Sequence, residues 1–339
     1  MSLLVGCVLC CGCQSTRSRD IPVDAKIVRY NESGTEAFSE GNSAAAIKSF
    51  RKAVLRSWAT DDPYQSGTNA YNLAAAWFDR GDNQAAKDWL IEARVELARA
   101  KASAGNTYLL GAKIAQDEGR LEDAHRLIWL ASCAPSPCGD RAEEVCPGDA
   151  CKEDCFERLP CVGNRIAEKK SLEECHNDYA AQVHLAKARL AAEIYDLDSA
   201  KCHFADAIES ARHVCNYDLR AEFHDTAALI DLAGGNVVQA AAHLDREATL
   251  LRLAENYRRI PEVLTLAAAA HKETLRFDLS TDRLCRAARI WLTRGELEKA
   301  WEILQQALET GEAEHSPSTR IRLQITAAEI EAAAKEASD

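Results

Sequence analysis

The chain has 339 residues, 41 Lys and Arg against 53 Asp and Glu, and a formal net charge of −12. That balance excludes a nucleic-acid binder and disfavours anionic membrane faces, because phosphate contacts need a basic surface that releases counterions. Only 6% of residues are aromatic and the apolar content leans on alanine, which suits a thin continuous core between stacked neighbours and, with no apolar run of about 18 residues or more, no membrane-crossing helix.

The first element, residues 2–12, is a short run of apolar and small residues that passes into Cys13-Gln14-Ser15-Thr16. It reads as the end of a secretory signal. Gly12 before Cys13, with a polar stretch behind, resembles the lipobox of bacterial lipoproteins, which implies that Cys13 is acylated and becomes the new N-terminus. Leu4-Val5-Gly6-Cys7 fits that box more literally but leaves almost no apolar run ahead of it. No Lys or Arg precedes the run, and the run is short, which points to a start codon upstream. Gln14 behind the lipid site resembles outer-membrane sorting. The expected location is therefore the periplasmic face of the outer membrane, reached by export and held by a lipid anchor. Residues 13–25 read as a polar tether.

From residue 26 onward a helical signature recurs behind a glycine: an alanine, a large apolar residue four places on, and an alanine three further. It reads Gly41 then Ala46, Phe50, Ala53; Gly81 then Ala86, Leu90, Ala93; Gly119 then Ala124, Ile128, Ala131; and Gly295 then Ala300, Leu304, Ala307. Ala200, Phe204, Ala207 and Ala240, Leu244, Ala248 are weaker copies. Steps of four and three keep these side chains on one helix face, where small alanines admit a neighbouring helix and the large residue fills the gap. A second alanine-rich helix lies before each glycine, so the unit is an antiparallel pair turning at the glycine.

Residues 133–176 interrupt this pattern with seven of the fourteen cysteines, several prolines and no long apolar periodicity. Setting aside the signal segment and Cys13, ten cysteines remain, an even count that agrees with an oxidising compartment. Disulfides are expected at Cys133, Cys138, Cys146, Cys151, Cys155, Cys161, Cys175 and Cys215, each stabilising by roughly 2–4 kcal/mol. The alternative, a thiolate metal or redox site in Cys133–Cys161, is weakened by the lack of any Cys-x-x-Cys within that region. Cys175 precedes one helix of a pair and Cys215 follows the other, so these two are expected to bridge, whereas Cys202 and Cys285 fall at helical core spacings as buried thiols. Connectivity among Cys133–Cys161 is open.

Repeats continue over 177–313, with one helix, Pro261 to Phe277, lacking a clear partner. Residues 314–339 read as a capping helix beginning at Ser316-Pro317.

Gly34, Ala46, Phe50 and Ala53, then Leu73, Ala74, Trp77, Gly81 and Ala86, then Ala112, Ala115, Gly119 and Ala124 resemble the tetratricopeptide repeat, a helix-turn-helix of about 34 residues. The resemblance covers roughly residues 26–310 and departs from the family in wider spacing of the first three copies and in lacking most of the consensus prolines. It implies an all-α, right-handed helix-turn-helix solenoid with a Cys-rich loop insertion. It also implies a concave face for an extended peptide or partner helix, with groove residues Asn31, Thr35, Phe38, Tyr71, Asn72, Phe78, Lys113 and Gln116. Phe38 and Phe78 occupy the same place in successive repeats, either along the groove or in the inter-repeat core.

The sequence carries no glycine-rich phosphate loop, no His-Glu-x-x-His and no Gly-x-Ser-x-Gly. His203 and His213 stand about 15 Å apart along a helix, too far for one metal, and read as surface histidines. The expectation is a non-enzymatic scaffold of the bacterial cell envelope that binds other proteins, with no cofactor, no metal and no small-molecule substrate. A cytoplasmic adaptor built on the same repeats is the remaining alternative.

Overall fold

The computed structural model describes residues 24–134, 172–212, 214, 216–311 and 316–336. The described residues form fourteen helices and no strand: α1 (Ala25–Ser39), α2 (Ser43–Ala59), α3 (Pro63–Asp79), α4 (Asn83–Arg99), α5 (Gly105–Asp117), α6 (Leu121–Cys133), α7 (Leu172–Glu193), α8 (Leu197–Ser210), α9 (Tyr217–Ala233), α10 (Val237–Leu253), α11 (Ile260–Glu273), α12 (Phe277–Thr293), α13 (Leu297–Gly311) and α14 (Pro317–Glu336).

One turn design makes the pairs. Gly41, Gly81, Gly119, Gly235 and Gly295 all have φ between +71° and +87°, the left-handed conformation that glycine adopts without a Cβ penalty. The next residue's N–H reaches back to close the helix end, as Asp82 N–H does to the Trp77 carbonyl at 3.0 Å. In the first two of these turns that residue also caps the following helix: Asn42 and Asp82 accept from Ala45 N–H and Ala85 N–H. The left-handed place is filled by Tyr195 between α7 and α8 and by Leu275 between α11 and α12.

The alanine signature is the packing face. Ala46, Ala53, Ala86, Ala93, Ala124, Ala131, Ala300 and Ala307 are fully buried, and Phe50, Leu90, Ile128 and Leu304 are at most 3% exposed. In α1 the helix opposite comes so close that a Cβ on Gly34 would stand 2.5 Å from Cε1 of Phe50. The wide repeat spacing comes from long helices, with α2, α3 and α4 at 17 residues each.

Pairs run α1/α2 through α9/α10. Then α11 packs on both α10 and α12, α12 pairs with α13 across Gly295, and α14 packs on α12 and α13. The helix that lacks a clear partner in the sequence, α11, packs on α12 across the Leu275 turn, and α12 packs again on α13 across Gly295, so α12 belongs to two successive pairs. The fold is the expected all-α, tetratricopeptide-like solenoid.

The superhelix closes on itself. The Arg258 N–H, in the loop before α11, donates to the Ser39 carbonyl at the end of α1 at 2.9 Å. Its guanidinium pairs with Asp79 at the end of α3 at 2.5 Å and lies 4.5 Å from the Phe38 ring centroid. Arg294, at the end of α12, donates to the carbonyls of Arg258 and Tyr257 and packs on Gly41. The first two repeats and the α10–α12 region therefore meet, leaving a cleft of about 670 Å³ at the junction.

The cysteines divide. Cys13, Cys138, Cys146, Cys151, Cys155, Cys161 and Cys215 lie outside the described residues. Cys175 is disulfide-bonded and sits inside the first turn of α7, which begins at Leu172, within the stretch expected to be a loop. Cys133 departs from the expected bridge. It is the last residue of α6 and an exposed free thiol. Cys285 is a buried thiol as expected, but Cys202 is exposed, because it lies two residues past the buried Ala200 and so faces away from it.

Candidate functional site

The odd helices touch in succession, α1 with α3, α3 with α5, α5 with α7 and α7 with α9. That contact row forms the inner wall of the curve, and the closure at Arg258 encloses it. Facing inward are Tyr71 from α3, Lys113 from α5, Arg189 from α7, Glu222 and Asp225 from α9, with Glu247 from α10 and Arg259 capping α11.

These groups interact as one set. Arg189 pairs with Asp225, and Arg259 Nη2 stands 3.2 Å from Asp225 and 3.0 Å from Glu247 Oε1. Burial, with the nearby Arg259 and Arg189, pulls the Lys113 ammonium down to about 8. Burial, with Glu222 beside it, pushes the Tyr71 phenol up to about 12. Lys113 is nonetheless exposed to solvent, so an incoming group can reach its ammonium.

Asp225 is held well below the carboxylate range. Burial opposes its ionisation, but Arg189, Arg259 and Lys113 outweigh it. Glu222 is pushed up by burial. Glu247 goes up to about 8, through burial first and then repulsion from Asp225. Arg259 lies close to Glu247, yet neither carboxyl oxygen accepts a hydrogen bond among the described residues, so the attraction does not offset burial. Three cations thus face one ionised carboxylate, Asp225, and two carboxyls biased toward the neutral form. The enclosure favours an anionic group.

Of the residues expected on the groove, Tyr71 and Lys113 meet there, across Glu222. Gln116 donates to Glu193 on α7 at 3.1 Å along the same wall. Phe38 is covered by Arg258 at the closure. Phe78 packs with Ala74, Ala86, Leu90 and Ile114, so it belongs to the inter-repeat core. Thr35 is exposed, Asn72 is half-buried, and Asn31 has a buried Oδ1 that accepts no hydrogen bond among the described residues. Sequence reasoning missed Arg189, Glu222, Asp225, Glu247 and Arg259. The inner-wall positions of α7 and α9 could have been read from the same repeat register, and Glu247 lies on α10 one residue before Ala248 of a weaker repeat copy, but Arg259 stands at the start of α11, outside the repeat signature.

His203, read as a surface histidine, is half-buried and faces His184 of α7 across Asp206; His213 lies outside the described residues.

No family model and no curated protein matches the chain. Among solved structures it is similar to a tetratricopeptide repeat protein from Parabacteroides merdae, at 11% identity and a TM-score of 0.38, over 89% of this chain and 99% of that one. It is similar to the assembly chaperone of RpL4, Acl4, at 13% identity and a TM-score of 0.34, over 92% and 99%. A third is the TPR2AB domain of yeast Sti1 in complex with an HSP90 peptide, at 14% identity and a TM-score of 0.29, over 84% and 98%. Likeness at these values transfers no residue role to this chain.

Proposed function

We propose that the protein is a non-enzymatic scaffold of the bacterial cell envelope that holds a segment of a partner protein, extended or helical, on its enclosed inner wall. The segment brings a carboxylate to Lys113, Arg189 and Arg259. The observation that carries this reading is the convergence of Lys113, Arg189 and Arg259 on one inner surface, where Arg259 also reaches Asp225 and Glu247 and a low local dielectric strengthens each attraction to an incoming anion. Tyr71 adds an aromatic face with a hydroxyl that stays protonated.

Two features support the envelope location: the apolar run ending at Gly12-Cys13 in the sequence, and the disulfide at Cys175, a bond that persists in oxidising compartments. Cys13 is the lipid attachment site in this reading, and the anchored chain stands on the periplasmic face of the outer membrane.

Two measurements test it. The intact mass of the chain extracted from native membranes, with and without reduction, should equal residues 13–339 plus acyl chains. An unlipidated chain with all thiols reduced would overturn the location. Lys113→Glu should remove the partner that co-purifies with the wild-type chain, while Arg212→Glu on the exposed end of the α8 turn should retain it. Equal retention by both variants would exclude the inner wall as the binding surface.

A further inference from the structure

The geometry points to a binding site for a borderline divalent transition cation, of the zinc or cobalt class, between α7 and α8, formed by His184, His203 and Asp206. His184 comes from α7, and His203 and Asp206 lie three residues apart on one face of α8. One ligand atom from each of the three lies within 4.8 Å of the other two.

The distances suit an ion better than hydrogen bonds. His184 Nδ1 is 3.6 Å and His203 Nδ1 3.8 Å from the same Asp206 oxygen, too long for hydrogen bonding. An ion about 2.0–2.1 Å from each of three tetrahedral ligands would set those atoms roughly 3.3 Å apart, so the two distances to Asp206 need close by only a few tenths of an ångström, and the two imidazole nitrogens start within 4.8 Å of each other. Both Nδ1 atoms are buried and have no hydrogen-bond partner among the described residues. Buried polar nitrogens left unmatched are costly, and here the two converge on one carboxylate.

The next repeat supplies the contrast. His224 and His243 lie forty residues after His184 and His203, and there the two rings meet directly, Nδ1 to Nδ1 at 2.9 Å. The residue forty places after Asp206 is Arg246, a cation where a ligand carboxylate would stand. One repeat therefore holds a hydrogen-bonded imidazole pair, and its neighbour holds the same pair opened around an acidic side chain.

Two imidazoles and one carboxylate form a nitrogen and oxygen donor set without sulfur, which suits zinc, cobalt or nickel over magnesium or calcium. Burial holds both imidazoles below their ordinary range, which leaves them neutral donors, though Lys187 also faces both rings and opposes an incoming cation; Asp196 adds a favourable charge near His203. His203 keeps 35% of its side-chain surface exposed, so an ion can reach the site from solvent. An ion there would pin α8 to α7 independently of the inner wall.

The test is a Co²⁺ titration of the full chain after chelator treatment and alkylation of accessible thiols, with Zn²⁺ as competitor. The expected result is one equivalent of Co²⁺ with a visible spectrum lacking a thiolate charge-transfer band. His184→Gln and Asp206→Asn should each weaken binding on the order of tenfold or more, as removing even an outer-shell partner commonly does, while His224→Gln leaves it unchanged. Saturating Zn²⁺ should raise the Tm of the wild-type chain and not that of Asp206→Asn. Asp206→Asn is nearly isosteric, so it keeps the test decisive if His184→Gln fails to fold. No binding, a thiolate band, or binding untouched by Asp206→Asn would overturn the site.

Discussion

Glu247 shows how one inner-wall residue ties stability to pH. Its side chain is fully buried, and its carboxyl is pushed from 4.5 up to about 8. A folded-state pKa above the unfolded one means that the native chain binds the extra proton between those values. The contribution is fully present below about 4.5 and is lost as pH rises through about 8. Glu247→Gln should therefore flatten the fall in stability over that window, measured as urea midpoints at several pH values. An unchanged slope would show that Arg259 keeps the carboxylate ionised. A second residue tests packing without charge. Gly34→Ala would drive a methyl into the Phe50 ring, and Phe50 is nearly fully buried, so a loss of roughly 1–3 kcal/mol is expected from urea unfolding.

At the scale of the element, the turn residues and α11 carry different lessons. Gly81 has φ +87° with nothing within 4 Å of an added Cβ, so Gly81→Ala costs conformation alone, about 1 kcal/mol. Comparing its urea midpoint with that of Gly34→Ala separates backbone strain from steric overlap; a larger loss at Gly81 would contradict both assignments. Helix α11 packs on both α10 and α12, and the loop before it carries Arg258 to the closure and Arg259 to the inner wall.

The whole molecule is a closed curve, and the closure depends on few contacts. The Arg258 pair with Asp79 joins residues 179 apart in sequence and is largely shielded, with side chains 21% and 14% exposed. Removing one member leaves the other charge without its partner, and hydrogen bonds to charged groups are worth roughly 1.5–3 kcal/mol. Arg258→Ala should lower stability by about that amount and raise the radius of gyration measured by small-angle scattering. A variant that keeps its radius would show that Arg294 and the backbone bond to Ser39 suffice to hold the ring.

By itself the sequence determined the helix pairs, their turns and their packing faces. These depend on local rules: a left-handed glycine, a capping Asn or Asp after it, and alanines at steps of four and three, all read within one or two helical turns. It also carried two of the seven inner-wall residues, since Tyr71 and Lys113 follow from repeat register. The His184 and His203 pair was legible too, as a recurrence at forty residues in His224 and His243, once the two helices of a pair are aligned side by side. Only the tertiary structure decided that α12 packs on both α11 and α13, that Arg258 meets Ser39 and Asp79, and that Glu247 and Arg259 join the inner wall. The same holds for Phe78, which packs into the core while Phe38 lies under Arg258. These depend on small rotations between successive repeats, summed over the whole array, and no local pattern in the chain encodes that sum.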